Sequence, residues 1–387
     1  MYRKTYVEVN TKTIERNIKN IISKYNNYKY YIGVVKGNAY GHGMKVCKWM
    51  IKSGINYLAV STLDEAMEIR NMVSKTCPIL ILQPVDLEYI DICSKENITI
   101  TISSFDYYQK LIKLDKKLKV HIKIDSGMNR LGINKASDIE RIYNELLNSK
   151  AIKLEGIYTH LATIGVIDNR FDKQIDKFKE LTKNIDLSKI KIVHIFSSNA
   201  FAIHPKLRIA NGVRLGIIMY GLAPRNFSTI GFKNQLRKLK RDYKRKTLRL
   251  SPINDDFSID VEPAFKLISE VSEIKEVLDS EYIGYGSNYI TDSKCRIAII
   301  PVGYMDGLSL THKGRCVYIN NHRYPIVGVV NMGMITVKVD DSVKIGDRVE
   351  VIKDIRSEAA YASTTPHQLM ASISPLLERK YITKEDK

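Results

Sequence analysis

YYIGVVKGNAYGHGMKVCKWMIKSGINYLAVSTLDEAMEIRNMVSKTCPILILQ, residues 30–83, decides the fold. Three short runs within it, YYIGVV (30–35), NYLAVS (56–61) and PILILQ (78–83), are apolar at nearly every position, as strands buried on both faces are. Between them lie longer charge-laced segments such as TLDEAMEIRNMV (62–73), which predict amphipathic helices. The alternation continues through ITITIS (98–103), KVHIKID (119–125), LEGIYTH (154–160), KIVHIFS (191–197) and IANGVRL (209–215), with RFDKQIDKFKELTKNI (170–185) supplying another helix. Eight β-α units in roughly 200 residues predict an α/β fold, a TIM-type (β/α)8 barrel, whose chemistry sits at the C-terminal ends of the strands. An open doubly wound sheet is the structural alternative.

Lys36, Asp125, His160, Ser198 and Arg214 each fall at or just past the end of a predicted strand, so a barrel brings them to one mouth. Residues 1–225 are accordingly assigned to the barrel domain. Residues 226–258, within RNFSTIGFKNQLRKLKRDYKRKTLRLSPINDDFS (225–258), break the pattern and predict a basic inserted loop or linker. Residues 259–387 predict a C-terminal mainly-β domain: KLISEVSEIKEV, CRIAIIPVG, CVYINN, YPIVGVV, MITVKV and DRVEVI follow one another without long helices, and a short helix is expected around 366–379.

Composition narrows the function classes. The chain has 387 residues, 44% of them hydrophobic, which suits two globular domains. MYRKTYVEVNTKTIERNIKN at the start has no apolar run, and no later stretch is long and uncharged enough to cross a bilayer, so a cytoplasmic protein without a membrane partner is expected. Cys47, Cys77, Cys93, Cys295 and Cys316 are scattered and odd in number, which predicts reduced thiols and no metal site. The net charge is +19, of which Lys233–Arg249 supplies +8, nine basic residues against Asp242. No nucleic-acid-binding motif accompanies that stretch, and a solvated basic loop is the expectation rather than nucleic-acid binding.

VVKGNAYGHG (34–43) carries the chemistry. A lysine ending a buried strand is desolvated, its amine is freed to attack an aldehyde, and a glycine-rich turn follows into a helix near Met44. By itself such a lysine is most often a solvated side chain. The ten residues, however, closely resemble the cofactor-attachment signature of bacterial alanine racemases. The resemblance continues in order through KIDSGMNRLG (123–132), YTHLAT (158–163), VRLGIIMYGL (213–222), YGSNY (285–289), PVGYMDG (301–307) and NMGMITV (331–337).

That resemblance implies a pyridoxal 5'-phosphate (PLP) isomerase of fold type III that interconverts L- and D-alanine, supplies D-alanine for peptidoglycan, and works as a homodimer with shared active sites. Lys36 inherits the PLP-bearing role. Tyr285 matches the catalytic tyrosine donated by the partner subunit, and the two would serve as bases on opposite faces of Cα. Tyr40, Ser198 and the backbone of Gly216 and Ile217 match phosphate contacts. Arg130 matches the arginine beside the PLP phenolic oxygen and the substrate, His160 the histidine that hydrogen-bonds the catalytic tyrosine, and Arg214 the arginine facing the pyridine nitrogen. Tyr304 and Met332 match substrate and entrance residues, Asp306 would order their loop, and Lys123 aligns with a lysine carbamylated in some members.

Two positions depart from the family pattern. Gly333 stands where an acid usually follows Met332, and His367 in TTPHQL (364–369) stands where a tyrosine is usual. Serine or broad-specificity racemisation therefore stays open. Amino-acid decarboxylation by a related PLP enzyme of the same overall fold also stays open, although such enzymes present a cysteine with an acid where Tyr285 stands. So does a PLP-binding protein without catalysis, although single-domain proteins of that kind lack a β domain.

Overall fold

The computed structural model describes residues 2–162, 168–223, 232–254, 259–310 and 314–383. Two compact units partition the chain: Met1–Ile14, Gly37–Val46 and Glu262–Lys387 form one, and Glu15–Lys36 with Cys47–Val261 form the other.

The second unit holds the closed barrel. After β1 (Tyr6–Asn10), which belongs to the other unit, its strands are β2 (Tyr30–Val34), β3 (Tyr57–Val60), β4 (Ile79–Ile81), β5 (Thr99–Ile102), β6 (Leu118–Lys123), β7 (Ile152–Tyr158), β8 (Ile192–Ser197) and β9 (Gly212–Leu215). Each pairs in parallel with its neighbour, and β9 closes on β2 with Tyr30 opposite Gly212. All eight strands fall inside the eight expected segments to within two residues. β3, β4 and β5 are buried at every position, because in a barrel one face meets the inner layer and the other meets helices. Helices Leu63–Met72 and Arg170–Leu181 lie where the sequence places them, the first N-capped by the Thr62 hydroxyl, which accepts from the Glu65 N–H at 3.3 Å.

The first unit is built on a nine-stranded sheet. Its members are β1, β10 (Phe265–Glu270), β11 (Glu273–Val277), β12 (Cys295–Ile300), β13 (Cys316–Ile319), β14 (His322–Val327), β15 (Ile335–Val339), β16 (Arg348–Ile352) and β17 (Glu378–Ile382), in the order β11-β12-β15-β14-β13-β16-β10-β1-β17. β1 lies antiparallel to β10 and parallel to β17.

Four features differ from the sequence expectation. The first fourteen residues belong with the sheet and not with the barrel, since β1 finds its hydrogen-bonding partners beyond residue 264. The helix expected around 366–379 stops at Ser372, because Ser374 and Pro375 interrupt it and the charged run ERKYI pairs with β1 as a strand. An additional helix, Ile355–Tyr361, precedes it. Within the basic stretch expected to be a loop or linker, Phe232–Thr247 is a sixteen-residue helix. Positions 226–231 and 255–258 of that stretch, and Thr163 of the YTHLAT motif, lie outside the described residues.

Candidate active site

Arg214 organises the barrel interior. Projecting from β9, it is buried, and its guanidinium donates to the Thr159 C=O (2.7 Å), the His194 C=O (2.8 Å) and the Ile195 C=O (3.0 Å). It also reaches His194 Nδ1 at 2.8 Å and His160 Nδ1 at 3.3 Å. Desolvation brings its pKa down to about 10, which still leaves it charged at neutral pH. A donor-only guanidinium makes both imidazole Nδ1 atoms acceptors, so each ring carries its proton on Nε2.

His194 in turn meets His121 Nδ1 through its Nε2 at 2.9 Å, and His121 Nε2 points at Glu155 Oε2, 3.7 Å away. Glu155 is buried and accepts from Tyr57 (2.7 Å), Thr99 (3.2 Å) and Lys191 (2.8 Å). Desolvation alone would raise its pKa, but His121 nearby and the hydrogen bonds from Lys191 and Tyr57 outweigh that and hold the carboxylate well below its usual range. One directional chain of donors thus runs from Arg214 through two neutral histidines toward a buried anion. Tyr158 stacks on His194 at 4.6 Å.

Lys36 follows β2 and is half-buried. Desolvation lowers its pKa, the positive charges of Arg130 and Arg214 lower it further, and Glu65 opposes them. Lys123, at the end of β6, is buried with its amine over the Tyr158 ring at 4.7 Å. Its pKa falls to about 7, through desolvation first and then Arg214 and Arg130. His160 is pushed down to about 2 by desolvation and then by Arg214, Lys123, Arg130 and Lys36, so it is a neutral imidazole.

Arg130 is exposed, at the end of a loop that Asp125 shapes: one carboxylate oxygen accepts the N–H groups of Gly127, Met128 and Asn129 at 2.9–3.0 Å. Ser198 opens the helix Ser198–Ile203, and its hydroxyl accepts the Gly216 N–H at 2.8 Å. Ile217 then begins a short 3-10 turn, whose first N–H groups lack partners within the turn and suit an anion. The barrel therefore brings together Lys36, Lys123, Arg130, His160 and Arg214, and it joins Ser198 to Gly216.

Tyr40, Tyr285, Tyr304 and Met332 belong to the other unit. Tyr40 closes a left-handed turn in which Gly37, Asn38, Ala39 and Tyr40 have φ of 65, 53, 53 and 51°. The Gly41 N–H bonds the Gly37 C=O at 2.9 Å across it. Left-handed backbone costs about 1–2 kcal/mol per non-glycine residue, so this turn stores strain. Burial raises the Tyr40 phenol to about 12.

Tyr285 sits at the tip of a hairpin and is 78% exposed. The hairpin is rigid below its tip: the Ile283 N–H donates to the Tyr289 C=O at 3.0 Å, Tyr282 bridges Ile290, and Ile283 packs on Ile297 and Val327. Tyr304 and Met332 are neighbours, since the Tyr304 N–H donates to the Asn331 C=O and the Met305 N–H to the Met332 C=O, both at 3.0 Å. Asp306 orders this loop by accepting the Gly303 N–H (3.0 Å) and pairing with Arg3 (2.8 Å). A Cβ added at Gly333 would approach only the Met305 thioether, at 3.8 Å, so local packing does not demand glycine there. His367 is exposed, 3.2 Å from the Thr365 hydroxyl.

His121, Glu155 and His194 escaped the sequence analysis. The available signal was an ionisable residue flanked by apolar ones inside each barrel strand, VHI, LEG and VHI within KVHIKID, LEGIYTH and KIVHIFS.

Residues 9–224 match the family model "Alanine racemase, N-terminal domain" and residues 264–381 match "Alanine racemase, C-terminal domain". Alanine racemase 1 of Bacillus subtilis (strain 168) is 31% identical over 91% of this chain and 84% of its own length. A solved alanine racemase from Clostridium difficile 630 superposes with a TM-score of 0.85 at 31% identity, covering 99% of this chain and 97% of that one. The alanine racemase of Bacillus anthracis with bound L-Ala-P superposes with a TM-score of 0.83 at 30% identity, covering 99% and 96%. Both domain matches, in order and across most of the sequence, place this chain in the alanine racemase family.

Proposed function

We propose that this protein is a PLP-dependent alanine racemase that works as a homodimer and supplies D-alanine for peptidoglycan. The observation that carries the proposal is the barrel mouth: a desolvated lysine at a strand end, near Arg130, Arg214 and Glu65. Such a donor set fits an anionic aldehyde cofactor. The Lys36 amine is a nucleophile for the aldehyde, the Ser198–Gly216–Ile217 corner would suit the phosphate, a role the family resemblance also gives Tyr40, Arg130 would suit a phenolate oxygen, and Arg214 the pyridine nitrogen.

PLP, when bound, supplies an electron sink that loosens the α-proton of an amino acid. The protein contributes the rest. Lys36 Nζ takes or returns a proton on one face of the substrate carbon, and Tyr285 Oη does so on the opposite face. Arg214, held by three carbonyl oxygens and charged at neutral pH, discourages protonation of the ring nitrogen and keeps the proton at Cα. Neutral His160 is the hydrogen-bonding partner assigned to Tyr285 in the assembled site. Lys123, about half of it free amine near pH 7, is a candidate for carbamylation, since only the free amine attacks CO2 and the product anion would lie among cations. Tyr304 and Met332 border the substrate.

The dimer is supported by the exposure of Tyr285 together with Tyr282 and Ile290 on the same hairpin, and of Met305, Met332 and Met334 in the same unit. Cys47, Cys77, Cys93, Cys295 and Cys316 are all free, which fits a reducing compartment such as the cytoplasm, and no helix among the described residues is long and apolar enough to cross a membrane.

Mixed dimers provide the test. Lys36→Ala and Tyr285→Phe chains should each lose nearly all racemisation alone, but a mixed dimer has one site with both bases intact if the tyrosine comes across from the partner. Recovered racemisation supports the shared site; none after verified subunit exchange refutes it. Alanine and serine compared as substrates read out the effect of Gly333 and His367, with alanine expected to be preferred.

A further inference from the structure

The helix Phe232–Thr247 lies between the two matched domains, which end at residue 224 and resume at 264, and the racemase chemistry makes no use of it. Eight of its sixteen residues are Lys or Arg, against one acid, Asp242. Its polarity is reversed. A surface helix of a globular protein normally turns its apolar stripe inward and its charges to water.

In this helix the inward side holds Arg241, which is buried and pairs with Asp242 at 2.8 Å. Arg245 donates to the Ser251 C=O, and the Ser251 N–H donates to Asp172 on the helix Arg170–Leu181 at 3.1 Å. Downstream, the Asn254 N–H donates to the Ile203 C=O at 2.6 Å. These bonds fasten the segment to the barrel unit by polar contacts. The outward side holds Leu236, Leu239 and Tyr243, spaced i, i+3, i+7 and 42%, 67% and 75% exposed. Exposed lysines flank the stripe, Lys240 and Lys244 on one side and Lys246 on the other.

Charge and shape select among occupants for this face. A second copy of the helix would set like charges against like. A nucleic acid would reward the cations but leave two leucines in water. An anionic lipid surface takes both: the leucines and the tyrosine sink to the headgroup–acyl boundary, and the lysine stems snorkel back to the phosphates.

We propose that the Leu236–Leu239–Tyr243 stripe and its flanking lysines form a docking face for anionic phospholipid, holding the enzyme peripherally at a membrane surface. This goes beyond racemisation and revises the sequence-based expectation of a merely solvated basic segment with no membrane contact.

Co-sedimentation of the purified PLP-loaded protein with phosphatidylcholine vesicles, with and without phosphatidylglycerol, tests it. The parent is expected to sediment with the anionic vesicles only. The variant Leu236→Ser/Leu239→Ser/Tyr243→Ser keeps every charge and is expected to bind about tenfold more weakly or less. The variant Lys240→Gln/Lys244→Gln/Lys246→Gln keeps the stripe and is expected to lose about fivefold per lysine. Unchanged circular dichroism and unchanged racemisation in lipid-free buffer confirm that both variants are folded. Tyr243→Trp reports insertion independently through a blue shift of its emission on anionic vesicles. No sedimentation of the parent overturns the proposal. So does binding indifferent to the serine variant, which would mean charge adsorption alone, or duplex DNA outcompeting the vesicles.

Discussion

Lys123 offers a quantitative handle on the barrel mouth. Its amine is buried beside Arg214 and Arg130, and its pKa falls from 10.5 to about 7. That difference corresponds to roughly 5 kcal/mol of penalty on the charged form. Below pH 7 the folded and the unfolded chain both carry the proton, and the penalty on folding is complete. Between about 7 and 10.5 only the unfolded chain holds it, so stability rises with pH by about 1.4 kcal/mol per pH unit. Above 10.5 neither state carries it and the penalty has gone.

Lys123→Met removes the charge at similar length. In CO2-free buffer the variant should resist urea more than the parent at pH 6.5, by up to roughly 5 kcal/mol, with the gap narrowing steadily toward pH 9.5. Taking the difference between the two proteins cancels groups common to both. Added bicarbonate should stabilise the parent and leave the variant unchanged, because carbamate formation replaces the free amine with an anion among cations. A parent–variant gap that is flat across pH 6.5–9.5 would refute the reasoning.

Arg214→Leu leaves the carbonyls of Thr159, His194 and Ile195 without their buried donor and should cost about 3 kcal/mol or more, read as a lower thermal midpoint, with more transamination per racemisation event. Glu155→Gln weakens the anchor of the histidine chain; nitrogen-15 spectra of the imidazoles should show mixed His121 and His194 tautomers where the parent shows one. The stability gap between that variant and the parent should be full above the ordinary carboxylate value of 4.5 and fade as the pH falls below it, because the Glu155 pKa is depressed in the folded state. Gly41→Ala should reduce soluble yield and thermal midpoint sharply, since φ is +79° there and the new Cβ would lie 2.0 Å from the Met370 carbonyl oxygen. Tyr285→Phe should lower racemisation by about 10²–10⁴ while exchange of the α-proton continues from one enantiomer.

The barrel was legible because its strands are buried on both sides, which writes runs such as PILILQ and ITITIS directly into the sequence. β1 was not assigned to its sheet because its partners lie more than 250 residues away and nothing local in YVEVN announces them. ERKYI conceals a strand behind charge, and Phe232–Thr247 conceals a helix because Leu236, Leu239 and Tyr243 face water. Lys36, Arg130, His160 and Arg214 are legible through motifs, and in the barrel the charges of the other three act on His160. The histidine–glutamate chain beneath Arg214 was not, because only the closed barrel sets β6, β7 and β8 so that one side chain from each meets the next.

The position of β1 bears on synthesis. Residues 30–215 carry every barrel strand and can close soon after they leave the ribosome, whereas Tyr6–Asn10, made first, must wait for Phe265–Glu270 on one flank and Glu378–Ile382 on the other. At about 5–20 residues added per second, that strand spends tens of seconds with unsatisfied edges. Nascent chains stalled before codon 265 should therefore be the ones that recruit chaperones at the N-terminus.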